Sequence, residues 1–321
     1  MAAWARFRDW VLLVVCNLLW ASYSVLIKIV QRQMGPLFAT FFPTVIATVL
    51  LIPTVHFLSP DLDSKSSRVF SKMHVVLEFL MVGGIAGAGL VLSAWGTRLT
   101  LASNAALLSL ALPVLMAIMA YVLLGERMTP MRWLSFALAI TGVVQFAGID
   151  WKELNFTSPQ LLLGNWLVFI GLLGSAFYNV YSKKLLLRYS PLRLLLYTYY
   201  SMCLVLLPIT FYAEPSGFLN LTHYTRSVWS ALLVLAIFSS FLTMVIFLTV
   251  LTRLDATQVG LSTYLMPVLG VVLAAIILHE RLTKSMVLGG LLVVGSTLLI
   301  TVYEERRKMS EQRATTSGVG G

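Results

Sequence analysis

Two dipeptides, Glu126-Arg127 and Glu280-Arg281, set opposite charges side by side at the ends of otherwise uncharged apolar runs, 154 residues apart. Each is followed by a threonine two residues on (Thr129, Thr283) and preceded by a mid-run proline (Pro113, Pro267). A Glu-Arg pair at the mouth of an apolar helix suits two tasks. It can latch and release a gate, or it can anchor a tight helix-helix turn with both charges snorkelling to water. A mid-helix proline removes one backbone hydrogen bond and frees a carbonyl. That carbonyl can line a cavity as a ligand, or the kink can serve packing alone. Glu78 lies in an apolar run with no basic neighbour. A buried carboxyl there favours its neutral form and could exchange protons, whereas a place near the helix end fits an interfacial glutamate.

A second set has rings with polar handles and small polar groups away from helix ends: Trp20, Tyr23, Ser109, Tyr178, Asn179, Thr263 and Tyr264. Such groups suit a pocket for an organic solute, and they also fill helix interfaces. Asn179 is the most informative, because an amide in hydrocarbon must find a partner. Together with Pro113 and Pro267 they are the candidate substrate-binding residues. The four histidines are scattered and form no metal-ligand pattern. The chain carries no HExxH, no GxSxG elbow and no P-loop, so an intramembrane enzyme or a nucleotide-driven motor is not expected, nor is a cofactor. Gly83, Gly84, Gly87 and Gly89 do not complete a dinucleotide fingerprint, since position 92 is Leu; Gly83 and Gly87 make a small-residue face for helix packing.

The elements that must position these groups follow from composition. Hydrophobic residues make up 59% of the chain and charged residues 11%. Soluble domains need about 25% charged residues, so this chain must face lipid. Apolar windows of about 20 residues predict an all-α membrane protein with ten spans, at 10–30, 35–58, 75–97, 102–124, 131–149, 161–182, 191–213, 228–252, 256–278 and 285–303. Solid apolar runs exclude a β-barrel, and the first span lacks the cleavage site of a signal peptide. Residues 305–321 read as a disordered cytoplasmic tail. With the N-terminus cytoplasmic, 16 of the 23 Lys and Arg fall on the inner side, which places both termini in the cytoplasm. The net charge of +10 is therefore a topology signal rather than a nucleic-acid footprint. The sequons at Asn155 and Asn220 fall in outer loops and carry no meaning in a bacterium.

An internal repeat organises the spans. Residues 102–146 align with 256–300 without a gap, with 12 of 45 positions identical, among them Pro-Val-Leu and Glu-Arg-x-Thr. Tyr23, Lys28 and Pro36 align with Tyr178, Lys183 and Pro191 at an offset of 155. Residues 1–150 and 160–304 are thus expected to be two related units. Five spans each is an odd number, so the second unit enters the membrane from the opposite side, as in inverted-repeat secondary transporters.

These motifs, with the early LLWASYSVLIK (Leu18–Lys28), resemble the EamA-type ten-helix branch of the drug/metabolite transporter superfamily. The sequence departs from that pattern in lacking an arginine in the second span. The resemblance implies export or exchange of a small metabolite, such as an amino acid, a derivative or a drug-like solute, in a bacterial inner (plasma) membrane. Relatives within the superfamily suggest an alternative, a flippase for a lipid or lipid-linked sugar. The expected partners are the small-molecule substrate and the bilayer, with no nucleic acid, and a homodimer is compatible with this design.

Overall fold

The computed structural model describes residues 2–58, 72–147, 158–278 and 284–317. Among these, every regular element is a helix and no strand occurs. In chain order they are α1 (Ala2–Val30), α2 (Pro36–Leu58), α3 (Lys72–Leu99), α4 (Ala102–Ser109), α5 (Ala111–Leu124), α6 (Pro130–Ala147) and α7 (Pro159–Leu185). Then follow α8 (Pro191–Ala213), the single turn α9 (Pro215–Leu219), α10 (Arg226–Leu251), α11 (Ala256–Ser262), α12 (Leu265–Leu278) and α13 (Lys284–Ser317). The starts of α7 and α8 show why these runs become helices there. Ser158 and Ser190 accept from the amides of Leu161 and Arg193, and a proline fills the first helical position of each, where its missing N–H costs nothing.

Among the described residues, six helices are long and apolar enough to cross a membrane: Pro36–Leu58, Met73–Leu99, Pro159–Leu185, Pro191–Ala213, Arg226–Leu251 and Met286–Glu304. The apolar runs at 102–124 and 256–278 are each split into two shorter helices. The last helix continues to Ser317, where composition predicted a disordered tail from residue 305. Glu, Arg, Lys, Met, Gln and Ala dominate residues 304–314, and these are strong helix formers.

Glycines set the closest packing. An added Cβ on Gly96 would lie 2.7 Å from the Gly164 carbonyl oxygen, and one on Gly171 would lie 2.6 Å from that of Gly89. Helices α3 and α7 therefore meet backbone to backbone through glycines seven residues apart on each helix. Gly83 does the same against Thr198 and Ser201 of α8. The helix pairings come in matched sets. α3 packs along α7 and α8, while α10 packs along α1 and α2; α5 lies against α7, while α12 lies against α1. α2 meets α8, α5 meets α11, and α6 meets α13.

Candidate functional site: a charged seam beneath two broken helices

The two prolines act where the helices break. Pro113 lies three residues past Leu110, between α4 and α5, and Pro267 lies just past Thr263 and Tyr264, between α11 and α12. A proline cannot donate to the carbonyl four residues back and its ring crowds that carbonyl, which are those of Ser109 and Thr263. The second break tightens into short turns, with Thr263 N–H bonded to Gly260 O, Tyr264 N–H to Leu261 O and Met266 N–H to Thr263 O. The breaks also touch. The Tyr264 hydroxyl donates to the Leu110 carbonyl at 2.7 Å, and Leu110 is its own counterpart at the 154-residue offset.

Beside the breaks lies a cluster of charges. Gly125 ends α5 in the left-handed region (φ 70°), and the Glu126 amide reaches back to Ala120 O, a Schellman-type closure that only glycine makes without strain. This turn sends the Glu126 side chain to the start of α11. Its Oε1 accepts from Lys183 Nζ (3.0 Å) and Ala256 N–H (2.8 Å), and its Oε2 from Thr257 N–H (3.0 Å) and Thr257 Oγ–H (2.7 Å). Lys183 Nζ also donates to Leu254 O at 2.8 Å. Arg132, buried at the start of α6, donates Nε to Glu304 (2.7 Å), Nη2 to Asp255 (2.5 Å) and Nη1 to the Arg127 carbonyl (3.0 Å). Arg253 pairs with buried Asp9 at 2.6 Å. Arg188 and the Tyr181 hydroxyl both bond Glu78 Oε1, at 2.5 and 3.0 Å.

Asp9 near the start of α1 and Glu304 at the end of the apolar stretch Met286–Glu304 of α13 both belong to this layer, so it marks the face at which α1 begins and the apolar part of α13 finishes, termed here the terminal face. The ion pairs of this layer join positions distant in sequence. All but Lys183–Asp255 join the chain before residue 148 to the chain after residue 157. Ion pairs withdrawn from water lose several kcal/mol if one partner is removed, about 3–5 kcal/mol in buried cases. The Arg132 and Glu304 side chains are each 6% exposed, so that pair is of this kind.

The opposite, distal face is held differently. Glu214 accepts from the amides of Leu37 (3.3 Å) and Phe38 (2.9 Å) at the start of α2, and Gly35 leaves no room for a Cβ beside that carboxylate. Burial and the Glu214 charge together push the Tyr224 hydroxyl above the usual tyrosine range. A cleft of about 360 Å³ opens on this face between the α1–α2 turn and α3, lined by Gln31, Gly35, Thr97 and Arg98 among others.

Several sequence candidates meet at the breaks and at α5–α7. Pro113 and Tyr264 are buried; Thr263, whose hydroxyl bonds Gly260 O, and Pro267 are half-buried, and Ser109 is exposed. Asn179 sets its amide against the Met116 sulfur at 3.6 Å, while neighbouring Tyr178 is buried. Trp20 packs on Phe247, ring centres 5.2 Å apart. Tyr23 lies apart, in a cluster with Leu26, Tyr224 and Trp229. Glu280 and Arg281 fall outside the described residues. Glu78, read from sequence as lacking a basic neighbour, is salt-bridged to Arg188 across α3 and α7. Sequence reasoning counted Arg132, Arg188 and Arg253 only as topology charges and passed over Asp9, Asp255 and Glu304. One signal was available for Asp255, because it and Gln258 form a helix-starting capping box.

The EamA-like transporter family matches the chain twice, over residues 9–147 and 162–302. The chain belongs to this family. It is an integral, multi-pass membrane protein of a transporter family rather than an enzyme. Two transporters resemble it along most of their length. It is 27% identical over 299 residues to an uncharacterized transporter of Archaeoglobus fulgidus, covering 92% of this chain and 98% of that one. It is 26% identical over 293 residues to an S-adenosylmethionine uptake transporter of Rickettsia prowazekii, covering 90% of each. A solved crystal structure shares the fold, with a TM-score of 0.72 at 17% identity over 93% of this chain and 98% of that one. The boundary between the two family matches is the one the charge seam bridges.

Proposed function

We propose that this protein is a secondary transporter that exchanges or exports a small metabolite by alternating access between two oppositely oriented five-helix units, 1–150 and 160–304. The terminal-face seam carries this reading. A single carboxylate, Glu126, holds Lys183 and the first amides of α11, and Arg132 holds Asp255 and Glu304, each across the junction of the two units. Bonds of this kind close one side of a membrane passage and have to break for it to open.

The repeat reading has three supports: the double family match, the matched helix pairings and the Tyr264–Leu110 contact. In a two-fold arrangement, residues beside the axis touch their own counterparts. Taken as spans, α1, α6 and the pairs α4–α5 and α11–α12 bring the six long apolar helices to ten crossings, with both ends cytoplasmic and the seam as the cytoplasmic closure. The solute then sits near the two breaks, between the units, contacted by residues such as Trp20, Asn179 and Tyr264. Relatives named for S-adenosylmethionine uptake favour an amino-acid-derived, nitrogen-bearing solute, and a carrier that exchanges can run in either direction.

Counterflow in proteoliposomes tests this reading. Vesicles preloaded with unlabelled S-adenosylmethionine or amino acids should accumulate the labelled solute without ATP. Absence of counterflow for every amino acid and derivative tried, together with movement of a fluorescent lipid, would replace the reading with a flippase. Reporter fusions after Lys152 should read outside and those after Arg193 inside; the reverse would overturn the orientation.

A further inference from the structure

Asn17 lies in α1 about 12 Å along the helix from Asp9 and the seam, and 1% of its surface is exposed. Its amide is fixed by its partners. Nδ2 donates to the Leu13 carbonyl at 2.9 Å and to Ser262 Oγ in α11 at 3.2 Å, and the Ser262 hydroxyl donates onward to Val259 O at 2.7 Å. Turning the amide over would set its oxygen against the Leu13 carbonyl, so the assignment is determined by chemistry. That leaves Asn17 Oδ1 as a fully buried acceptor with no donor.

Its surroundings are unusual for a lipid-embedded core. Cys16 lies beside the Thr243 carbonyl. This is where α10 leaves a π-helical stretch, Leu235–Leu242, a distortion that recurs at functional sites. Trp20, one turn along α1, rests on Phe247 of the same helix. Ser262 closes α11 just before the break at Thr263–Tyr264. On α7, within about one and a half turns of Lys183, the Tyr178 and Ser182 hydroxyls lie buried beside each other. A protein core rarely leaves a polar atom unpaired unless something else pairs with it.

We propose that Asn17 and Ser262 line the solute's path just inside the terminal-face seam, and that Asn17 Oδ1 accepts a hydrogen bond from an N–H group of the solute, an ammonium or amine. The inference deepens the transport reading and rests on it. It also predicts an unusual pattern for one substitution. Asn17→Leu leaves nothing orphaned, because Ser262 keeps Val259 as its acceptor and Leu13 keeps its helical amide. The variant removes an unpaired buried acceptor, so the fold should be as stable as before or more so.

The test measures S-adenosylmethionine and L-methionine counterflow, and the melting temperature in detergent, for wild type and Asn17→Leu. Counterflow reduced at least tenfold with an unchanged or higher melting temperature is the expected result. Counterflow within twofold of wild type overturns the proposal, as does a parallel fall of counterflow and melting temperature, which would make Asn17 only a structural tie. A second arm needs no solute. In a Cys16→Ala/Cys203→Ala background, Ser262→Cys should resist a membrane-impermeant maleimide applied at the terminal face and react at least tenfold faster once Glu126→Gln is added. A thiol that stays unreactive in both overturns the placement. If wild type moves neither solute, the transport reading fails for these solutes, and the labelling arm still decides where the two residues lie.

Discussion

Replacing Glu126 by glutamine changes one atom and should loosen the whole terminal face. The carboxylate accepts from four donors, and its side chain is 10% exposed, so water screens it little. A glutamine offers one acceptor oxygen. If its nitrogen takes the Oε2 position, the Thr257 amide loses its acceptor. If the nitrogen takes the Oε1 position, Ala256 and Lys183 lose theirs. Either way Lys183 is left with Asp255 at 3.7 Å as its nearest counter-charge. A hydrogen bond to a charged group contributes about 1.5–3 kcal/mol, so the closed arrangement should lose about 2–4 kcal/mol overall. At about 1.4 kcal/mol per tenfold, that raises the open population about 30-fold to several hundred-fold. A cysteine at Ser182, buried next to Lys183 of this layer, reports it: in the Cys16→Ala/Cys203→Ala background, thiol labelling from the terminal face should accelerate about 30-fold or more. An unchanged labelling rate in a folded Glu126→Gln protein would refute the account of the seam as a closure.

Tyr264→Phe removes the hydroxyl that bonds Leu110 O; it should cost about 1 kcal/mol of stability and slow counterflow, measured by melting and by transport. Gly171→Leu should prevent folding, because its first added carbon would already lie 2.6 Å from the Gly89 carbonyl. Gly295→Ala, with nothing within 4 Å, should raise the melting temperature by about 1 kcal/mol equivalent of helix propensity, and size-exclusion profiles will separate the two. Glu214→Gln leaves one amide of α2 without an acceptor and should lower stability by about 1–3 kcal/mol. Its effect on thiol labelling should appear at the distal face and not at the terminal one.

Much of this molecule is legible in its residues. The shortage of charge forces helices into lipid, and the repeated Pro-Val-Leu and Glu-Arg-x-Thr point to two related units before any coordinates exist. The prolines mark where helices 102–124 and 256–278 break. What could not be read is partnership. Glu126 is adjacent to Arg127 in sequence, which suggests a local pair, yet the left-handed turn at Gly125 sends it to Lys183 and α11 instead. Glu78 lacked a basic neighbour along the chain, and its partner is 110 residues away. Nothing in the sequence singles out Asn17; its significance depends on which hydrogen bonds its amide makes across to α11. Periodicity and composition place helices, but they do not say which helix faces which, and the charges are matched by that facing.

The central claim is that the terminal face opens and closes as the two units rock. Spin labels at the exposed positions Arg127 and Thr252, one in each unit, in the cysteine-free background with Arg127→Cys and Thr252→Cys, allow double electron–electron resonance to read that motion. The account predicts a short distance that dominates in this protein and a second, longer one that gains population when Glu126→Gln is added. A single unchanged distance in both, in protein that still carries out counterflow, would contradict it.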